Sequence, residues 1–458
     1  MDDLIAALYI VAFSLFILGL HMLRGPRTAV RGNLVAAVGM AIAVIATLLH
    51  DRIGDWPLIA VGVAVGTAVG IPAARNVKMT AMPQMVALFN GVGGGAVALI
   101  SIVEYKEALE AGGNPPLVEL IPILFAAIIG SISFWGSNVA FLKLQEALKG
   151  RFRIPKAVNA VLAATAVALA VVIAAGTENE LLFWLILLAA GALGVLAVLP
   201  IGGADMPVVI STLNAFTGLS AAAAGMALDN TALIVGGMLV GASGSILTRQ
   251  MAEAMNRSIG NVFFGGLGAG GPALAAGGEE GGTVRSTSAA DVAIQLSYAR
   301  LVVVVPGYGM AVAQAQRAVA DLAALLEKRG IEVLYGIHPV AGRMPGHMNV
   351  LLAEADVPYE KLKEMDDING EFARTDVALV IGANDVTNPA ARNVPDSPIY
   401  GMPILDVDKA GSVIVLKRSM SSGFAGIDNP LFYNEKTALL FGDAKASVSE
   451  VLGEIQAL

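Results

Sequence analysis

One short stretch sets the architecture of the C-terminal part of this chain: residues 304–316 read VVPGYGMAVAQAQ. A β-branched run leads into a turn with glycine at positions 307 and 309, and the residues after the turn are typical of a helix. Such turns bring backbone N–H groups and the positive end of a helix dipole up to a pyrophosphate. Because the third position of the motif is Val312 rather than glycine, the motif alone fits an ordinary strand–turn–helix connection equally well.

Strands and helices alternate along this part of the chain. A capping box at Ser288–Asp291 predicts the start of a helix. The predicted elements after it are strands at 301–305, 332–336, 377–381, 404–405 and 413–416, with helices at 310–328 and 348–355. This alternation predicts an α/β Rossmann-like domain with a parallel, doubly wound sheet, whose ligands bind at the carboxyl ends of the strands.

The first half has the composition of a membrane protein. Over the whole chain 56% of the residues are hydrophobic, 14% are charged, and the mean hydropathy is +0.71. Apolar stretches of spanning length lie at 4–23, 33–50, 56–75, 82–103, 118–142, 157–176, 181–200, 206–226 and 231–248. We therefore predict a multi-pass α-helical membrane bundle of about nine helices at 1–262, a Gly- and Ala-rich linker at 263–288, and the Rossmann-like domain at 289–458.

The loops between the predicted spans alternate in charge. Basic residues cluster at 24–31, 75–78 and 143–156, whereas the loops between them, including 104–110, are mainly acidic or mixed. The positive-inside rule then places the N-terminus outside, and nine crossings leave the C-terminal domain in the cytoplasm. Since no basic n-region precedes the first apolar stretch, we expect that stretch to be retained as a helix.

Composition also excludes several functions. A net charge of −8 gives no reason to expect nucleic acid as a partner. The chain has no cysteine, so it can form no disulfide, thiolate metal site or iron–sulfur cluster of its own. His338 and His347 lack clustered carboxylates, which argues against a metal site. No Ser-His-Asp spacing predicts hydrolysis, and no catalytic acid or base is assigned.

Polar residues in the middle of the predicted spans allow two interpretations. Asn90 and Asn214 lie near the centres of the fourth and eighth spans. They could form ordinary interhelical hydrogen bonds, or they could line a hydrated path. An amide does not titrate, so a proton relay would need a group from another chain. Asp205 is either the N-cap of the eighth span or, with Arg257 at the same face, a coupling residue between membrane and soluble parts.

Two features favour NADP(H) over NAD(H) for the dinucleotide site. The second predicted strand does not end in an acidic residue that could bind a ribose 2′-hydroxyl. Lys417, Arg418 and Ser419 follow a later strand, and together they offer a planar guanidinium, a point charge and a hydroxyl to a 2′-phosphate. Such a basic pair could also be a solvated surface. Loops at 338–347, 382–389 and 423–430 have the composition of turns or ligand clamps.

Over nearly its whole length the chain closely resembles the β subunit of proton-translocating NAD(P)⁺ transhydrogenase. The blocks that carry this resemblance are 203–207, 254–258, 306–316, 338–355, 381–391, 417–420 and 441–447. The resemblance implies that this chain binds NADP(H) and faces a separate α subunit that binds NAD(H). It further implies Re/Si-specific hydride transfer between the two nucleotides, coupled to inward proton translocation that generates NADPH.

The resemblance also implies which residues contact NADP(H). These are Gly307, Tyr308, Gly309, Met310, Ala311, Val312, Val340, Ala341, Gly342, Arg343, Met344, Pro345, Gly382, Ala383, Asn384, Asp385, Val386, Gly401, Met402, Lys417, Arg418, Ser419, Met420, Ser421, Ser422, Gly423, Phe424, Asp443 and Ala444. Asp385 would be the carboxylate whose protonation is linked to nucleotide binding and release, and 423–430 would be a lid.

Two positions depart from the family pattern. Phe424 stands where many relatives have tyrosine, and Asn90 stands where many have a histidine thought to relay the proton. The second departure is consistent with a three-subunit enzyme in which a small membrane subunit supplies the histidine, while Asn214 matches a polar channel position. The resemblance further implies a dimer of the whole complex in a bacterial inner membrane, with a periplasmic N-terminus, surrounded by lipid.

Two other functions stay open. An NADPH-sensing gated channel or transporter would bind the nucleotide without hydride transfer. A membrane dehydrogenase that reduces quinone would need a flavin, haem or iron–sulfur centre. With one dinucleotide fingerprint in the sequence, the chain would need a separate NAD(H)-binding partner for transhydrogenation.

Overall fold

The computed structural model describes most of the chain. The described residues are 2–23, 25–50, 53–78, 81–145, 147–148, 154–202, 205–255, 259–260, 284–342, 346–397, 399–423 and 425–458. The chain divides into two compact units. One comprises Met1–Gly202 and Val208–Thr248, and the other comprises Gly203–Pro207 and Arg249–Leu458. Most of the predicted linker lies outside the described residues.

The first unit is helical. Within the described residues, nine helices are long and apolar enough to cross a membrane. They are α1 (Asp2–Leu23), α2 (Pro26–Leu48), α3 (Trp56–Arg75), α4 (Met82–Ala111), α5 (Leu117–Leu144), α6 (Lys156–Ala174), α7 (Glu180–Val198), α8 (Met206–Ala227) and α9 (Thr231–Ala254). The predicted multi-pass bundle is therefore confirmed.

Glycine allows the membrane helices to approach one another closely. A Cβ atom added at Gly94 of α4 would lie 2.9 Å from the carbonyl oxygen of Gly130 in α5. One added at Gly237 of α9 would lie 2.5 Å from the backbone nitrogen of Ala222 in α8. Small residues at such contacts are the usual basis of helix association in membranes. Glycine at these positions thus lets α4 pack closely on α5, and α8 on α9.

Helix α4 is longer than the sequence predicted. Residues 104–110 were expected in a loop, but they form the last two turns of α4. Ile102 and Tyr105 are buried three residues apart, and the ring of Tyr105 stacks on Phe183 of α7 with the centroids 4.8 Å apart. Because one face of the helix keeps this apolar spacing, the helix continues while its charged residues lie on the other faces.

The second unit contains a six-stranded parallel sheet. Its strands are β1 (Leu301–Pro306), β2 (Glu332–Ile337), β3 (Leu362–Glu364), β4 (Val377–Ile381), β5 (Ser412–Lys417) and β6 (Thr437–Phe441). Their order is β3-β2-β1-β4-β5-β6, and every pairing is parallel. The order reverses between β1 and β4, which is where ligands bind in open α/β sheets. The predicted Rossmann-like fold is confirmed.

One helix of this unit precedes the first strand, and the others follow strands. They are α10 (Ala289–Ser297), α11 (Tyr308–Val312), α12 (Gln316–Lys328), α13 (His347–Glu354), α14 (Met365–Asn369), α15 (Ala390–Asn393) and α16 (Ala444–Ala457). The predicted cap of α10 is confirmed, since Ser288 Oγ accepts a hydrogen bond from the backbone nitrogen of Asp291 at 3.1 Å. Both faces of the sheet are covered, and Val303, Val380 and Val415 are completely buried in the core.

Three predictions about this unit were wrong or incomplete. The single helix expected at 310–328 is two helices, α11 and α12, because Gln314 between them has a positive φ of 51°. Ile404 and Leu405 form no strand, since the backbone nitrogen of Leu405 bonds to Val386 instead of to a strand. Strands β3 and β6 were not predicted.

Candidate functional site

The turns after β1 and β4 lie backbone against backbone. Gly307 donates its backbone N–H to Ile381 and Gly309 donates to Gly382, both at 2.9 Å. A Cβ atom at Gly307 would lie 2.4 Å from the backbone of Ala383, and Gly382 itself has a φ of +65°. Both glycines are therefore required by close approach at the point where the strand order reverses.

This contact changes the expected use of the turn. The motif was expected to offer its backbone N–H groups to a pyrophosphate, but those of Gly307 and Gly309 are bonded to the β4 turn. Met310 and Ala311 behind them are completely buried, whereas Val312 is half-exposed. The turn thus joins the two central strands at their carboxyl ends.

The loop after β2 lies at the same carboxyl edge of the sheet. His338 is 1% exposed and its Nδ1 accepts a hydrogen bond from the backbone nitrogen of Val340 at 3.2 Å. Its Nε2 lies 2.8 Å from the carbonyl oxygen of Pro403. Burial lowers the pKa of His338 to about 4, against the opposing effect of the hydrogen bond to Pro403. Ala341 is buried, and Gly342, with a φ of +114°, lies against the ring of His347.

The loop after β4 is bonded to the predicted lid. Asp385 Oδ2 accepts a hydrogen bond from the backbone nitrogen of Ala425 at 3.0 Å. A Cβ atom at Gly423 would lie 2.5 Å from Asp385 Oδ1, so glycine is what allows the lid to approach. Asn429, which is fully buried, donates to the carbonyl oxygen of Asn384 at 3.1 Å.

A second buried amide holds the far end of this lid. Asn388 Nδ2 donates to the carbonyl oxygen of Asp428 at 3.0 Å, and Asn388 Oδ1 accepts from the backbone nitrogen of Ala390 at 3.0 Å. The carboxylate of Asp428 accepts a hydrogen bond from the hydroxyl of Tyr433 at 2.7 Å. The end of the lid at 428–429 is therefore fixed by buried amides, and its beginning is attached through Asp385.

The predicted phosphate-binding residues follow β5. The Nζ of Lys417 lies 4.0 Å above the ring of Phe432, a cation–π contact. Burial lowers the pKa of Lys417, while the nearby carboxylates of Asp428 and Asp385 oppose this shift. Arg418 and Ser419 are exposed to solvent, as a site for an incoming phosphate requires.

Two other predicted contacts have clear local roles. Gly401 has a φ of +78° and donates its backbone N–H to Ala391 at 2.8 Å, which fixes the turn that carries Met402. Asp443 caps α16, since its Oδ1 accepts from the backbone nitrogens of Lys445 and Ala446 at 3.1 and 3.2 Å. Arg343, Met344, Pro345 and Phe424 lie outside the described residues.

A polar cluster lies inside the membrane bundle. Asn90 of α4 donates through Nδ2 to the hydroxyls of Ser137 and Ser133 in α5, at 2.9 and 3.3 Å. Ser133 donates to the carbonyl oxygen of Leu213 at 2.9 Å and lies 2.6 Å from the hydroxyl of Thr217, both in α8. Hydrogen bonds therefore connect three helices, α4, α5 and α8, through side chains that do not titrate.

Asn214 is not part of this cluster. It is exposed on α8, while its neighbour Leu213 is buried toward α5. The two amides that the sequence singled out thus lie on different sides of α8. Asp205 immediately precedes the first residue of α8, and Arg257 lies outside the described residues.

Sequence reasoning missed several residues of these sites. His338 was considered only as a metal ligand, and Asn388, Asn429 and Thr217 were not singled out. Helical spacing could have indicated Thr217, since it lies one turn after Leu213 and therefore on the same face of α8. Within the described part of the chain, no group of three or more His, Asp or Glu residues could hold a metal ion.

Comparison with known proteins gives consistent matches. The sequence model of the family described as NAD(P) transhydrogenase beta subunit matches residues 5–454. Two relatives described as NAD(P) transhydrogenase subunit beta, both from Rhodospirillum rubrum, are 50% identical to this chain over 458 residues. These matches cover 98% of this chain and 98% of each relative.

Proposed function

This chain belongs to the family of NAD(P) transhydrogenase beta subunits, and from that premise we propose that it binds NADP(H) at the carboxyl edge of its parallel sheet. Hydride passes between this nucleotide and NAD(H) on a separate α subunit. The reaction is coupled to inward proton translocation through the membrane helices and generates NADPH. The fold supports this assignment, because it combines helices of spanning length with a dinucleotide-binding sheet.

The observation that carries the proposal is the contact between the β1 and β4 turns. Gly307 and Gly382 bring the two central loops together where the sheet changes direction. That crevice is where a dinucleotide lies in open α/β sheets. The loops that carry the predicted contacts all meet this same edge, since they follow the carboxyl ends of β1, β2, β4, β5 and β6.

Lys417, Arg418 and Ser419 support NADP(H) rather than NAD(H). The exposed Arg418 offers bidentate hydrogen bonds to a 2′-phosphate, and Lys417 adds a partly buried positive charge. Ser419 and Ser421 lie within hydrogen-bonding distance of each other, 2.9 Å between hydroxyls, which orders the start of the loop after β5.

The chemistry asks little of the protein at the reacting carbon. When bound, NADP(H) supplies or receives the hydride at its nicotinamide. The chain's own residues must orient that ring toward the α subunit and keep water away, so no side chain is needed as acid or base. The lid fits this role, because Asp385 and Asn384 hold its two ends over the β4 loop.

Proton flow would act through nucleotide affinity. Protonation of Asp385 would weaken the charge-assisted hydrogen bond to Ala425 and release the beginning of the lid. A coupling of this kind needs two states of the lid that differ in affinity for NADP(H). Asp205 and Arg257 are the candidates that would connect this switch to the membrane part.

Two observations support a further membrane subunit. Helix α3, described along its whole length, buries none of its side chains within this chain. Asn214 is exposed in the middle of α8, where an amide facing lipid is costly. A small subunit would cover such surfaces and supply the titrating group that Asn90 cannot provide. We place the whole complex, as a dimer, in a bacterial inner membrane with the C-terminal domain in the cytoplasm.

Reconstitution tests the proposal. The full chain is inserted into liposomes together with its NAD(H)-binding and small membrane subunits, with the nucleotide domains outside. NADPH and an oxidised NAD analogue are then added. We expect reduction of the analogue and acidification of the lumen, both abolished when the β subunit carries Lys417→Gln and Arg418→Gln. Reduction of the analogue without acidification of the lumen would support transhydrogenation and contradict proton translocation.

The NADPH-sensing gate remains the second candidate. It shares the nucleotide site but needs no exposed nicotinamide and no NAD(H)-binding partner. The same liposomes distinguish it, since a gate would conduct ions when NADPH is added alone and would not reduce the analogue.

A further inference from the structure

His338 joins two loops that come from distant parts of the chain. It directly follows β2, and its Nδ1 accepts a hydrogen bond from the backbone nitrogen of Val340 two residues later, at 3.2 Å. Its Nε2 lies 2.8 Å from the carbonyl oxygen of Pro403, 65 residues away. Pro403 is adjacent to Met402, and Val340 begins the run 340–345, so each partner belongs to a predicted wall of the nucleotide site.

The two hydrogen bonds determine the state of the ring. A carbonyl oxygen only accepts, so Nε2 must carry the proton that Pro403 accepts. A backbone nitrogen only donates, so Nδ1 must be unprotonated toward Val340. The pair of contacts therefore selects the neutral imidazole with its proton on Nε2, and both ring nitrogens are used within the protein.

We propose that His338 is a positioning residue which, as the neutral Nε2–H tautomer, holds the loop after β2 and the Gly401–Met402 turn at the spacing that NADP(H) binding requires. This inference rests on the proposed function of the site. His338 itself would not contact the nucleotide, because its side chain is 1% exposed and offers almost no surface to a ligand.

The contacts around Pro403 show why its hydrogen bond with His338 matters. The next two residues are held from the other side, since Asn369 Nδ2 donates to the carbonyl oxygen of Ile404 at 3.0 Å and Leu405 donates its backbone N–H to Val386 at 2.9 Å. These contacts attach the segment to α14 and to the β4 loop. His338 attaches it to the β2 loop, which sets the distance between the two walls.

Conservative variants separate the two bonds. His338→Asn keeps an acceptor that can reach the backbone nitrogen of Val340, in the manner of an Asx turn. His338→Gln keeps an N–H donor that can extend toward the carbonyl oxygen of Pro403. His338→Leu fills similar space and keeps neither bond. A matched control is Val451→Ala in α16, which is 2% exposed and makes a cavity in the same unit away from both loops.

The experiment uses the full chain in nanodiscs. Dissociation constants for NADPH and NADP⁺ are measured by nucleotide fluorescence and competition, alongside the unfolding temperature. We expect His338→Leu to weaken binding by about tenfold or more, since two hydrogen bonds are lost. The Asn and Gln variants should each recover part of the loss. Val451→Ala should lower the unfolding temperature and leave both dissociation constants unchanged.

A spectroscopic signature completes the test. The chain has four histidines, so ¹⁵N-histidine labelling gives few ring signals, and His338→Asn and His338→Gln assign those of His338. We expect Nε2 of His338 to be protonated and Nδ1 to be unprotonated at neutral pH. Binding within twofold of wild type in His338→Leu would overturn the inference while the proposed function stands. Equal losses in His338→Leu and Val451→Ala, or a doubly protonated ring, would also overturn it. Failure of the wild-type chain to bind NADPH would overturn both proposals.

Discussion

Asp385 accepts a hydrogen bond from the backbone N–H of Ala425, with 3.0 Å between Oδ2 and the nitrogen. This bond connects the loop at the carboxyl end of β4 to the beginning of the 423–430 loop, the predicted lid. A carboxylate is a strong acceptor when it is ionised and a weaker one when it is protonated. Under the proposed function, a single proton on Asp385 would therefore change how firmly this loop is held.

Removing this carboxylate should release NADPH faster. We expect Asp385→Ala to raise the NADPH dissociation rate about tenfold, since charge-assisted hydrogen bonds contribute about 1.5–3 kcal/mol. Asp385→Asn keeps an acceptor oxygen for Ala425 but loses the charge, so its rate should lie between those of wild type and Asp385→Ala. Its dependence on pH should disappear, because an amide does not titrate. Stopped-flow fluorescence measures both rates, and a wild-type rate in Asp385→Ala would contradict this role.

The contact between the two central turns should tolerate no methyl group. In Gly307→Ala the new Cβ would lie 2.4 Å from the backbone of Ala383, so we expect a loss of about 1–3 kcal/mol in unfolding free energy. Gly453→Ala in α16 has open space around it and should gain about 0.8–1 kcal/mol instead. Thermal unfolding measures both. Equal stability of the two variants would argue against close packing of the turns.

Neutralising the basic pair after β5 should reduce selectivity for the 2′-phosphate. We expect Lys417→Gln and Arg418→Gln each to raise the dissociation constant for NADPH by about tenfold or more, while that for NADH changes little. Lys328→Gln, at an exposed position in the last turn of α12, serves as the control for net charge. Isothermal titration with NADPH and with NADH gives the ratio of their dissociation constants. An equal loss for NADH would show that these residues do not recognise the phosphate.

Acid should destabilise the sheet unit through His338. Burial lowers the pKa of this histidine in the folded chain from 6.5 to about 4. Between these values the unfolded chain binds a proton that the folded chain does not, so unfolding free energy falls as the pH falls. The loss from pH 7 to pH 4 is on the order of 3 kcal/mol. His338→Gln should lack this component, so its unfolding temperature should fall less than that of wild type over the same range. An equal fall in unfolding temperature for wild type and His338→Gln would contradict the lowered pKa of His338.

The sequence predicted the elements that carry strong local signals. The β-branched run before Gly307 and the long apolar stretches led to the correct fold class, and Val377–Ile381 was placed correctly as a strand. Short elements were missed, because β3 has three residues and β6 is a brief apolar run without alternation. Ile404 and Leu405 have the composition of a strand, but Val386 and Asn369 take their backbone bonds.

Orientation and long-range partners could not be predicted from the sequence. Asn90 and Asn214 have the same residue type and the same depth in their spans, yet one is buried and the other exposed. Rotation of α8 is set by its neighbours, here through the contacts of Ser133 with Leu213 and Thr217. The role of His338 depends on a partner 65 residues away, which no local pattern indicates.

Direct transfer of hydride between two nucleotides is the central claim. The most direct test loads the full chain with NADPH that carries deuterium at the transferring position of the nicotinamide, and adds the NAD(H)-binding subunit with an oxidised NAD analogue. We expect the deuterium to be recovered in the reduced analogue, with none lost to water. Tight binding of NADPH with no transfer, or loss of the label to solvent, would contradict it.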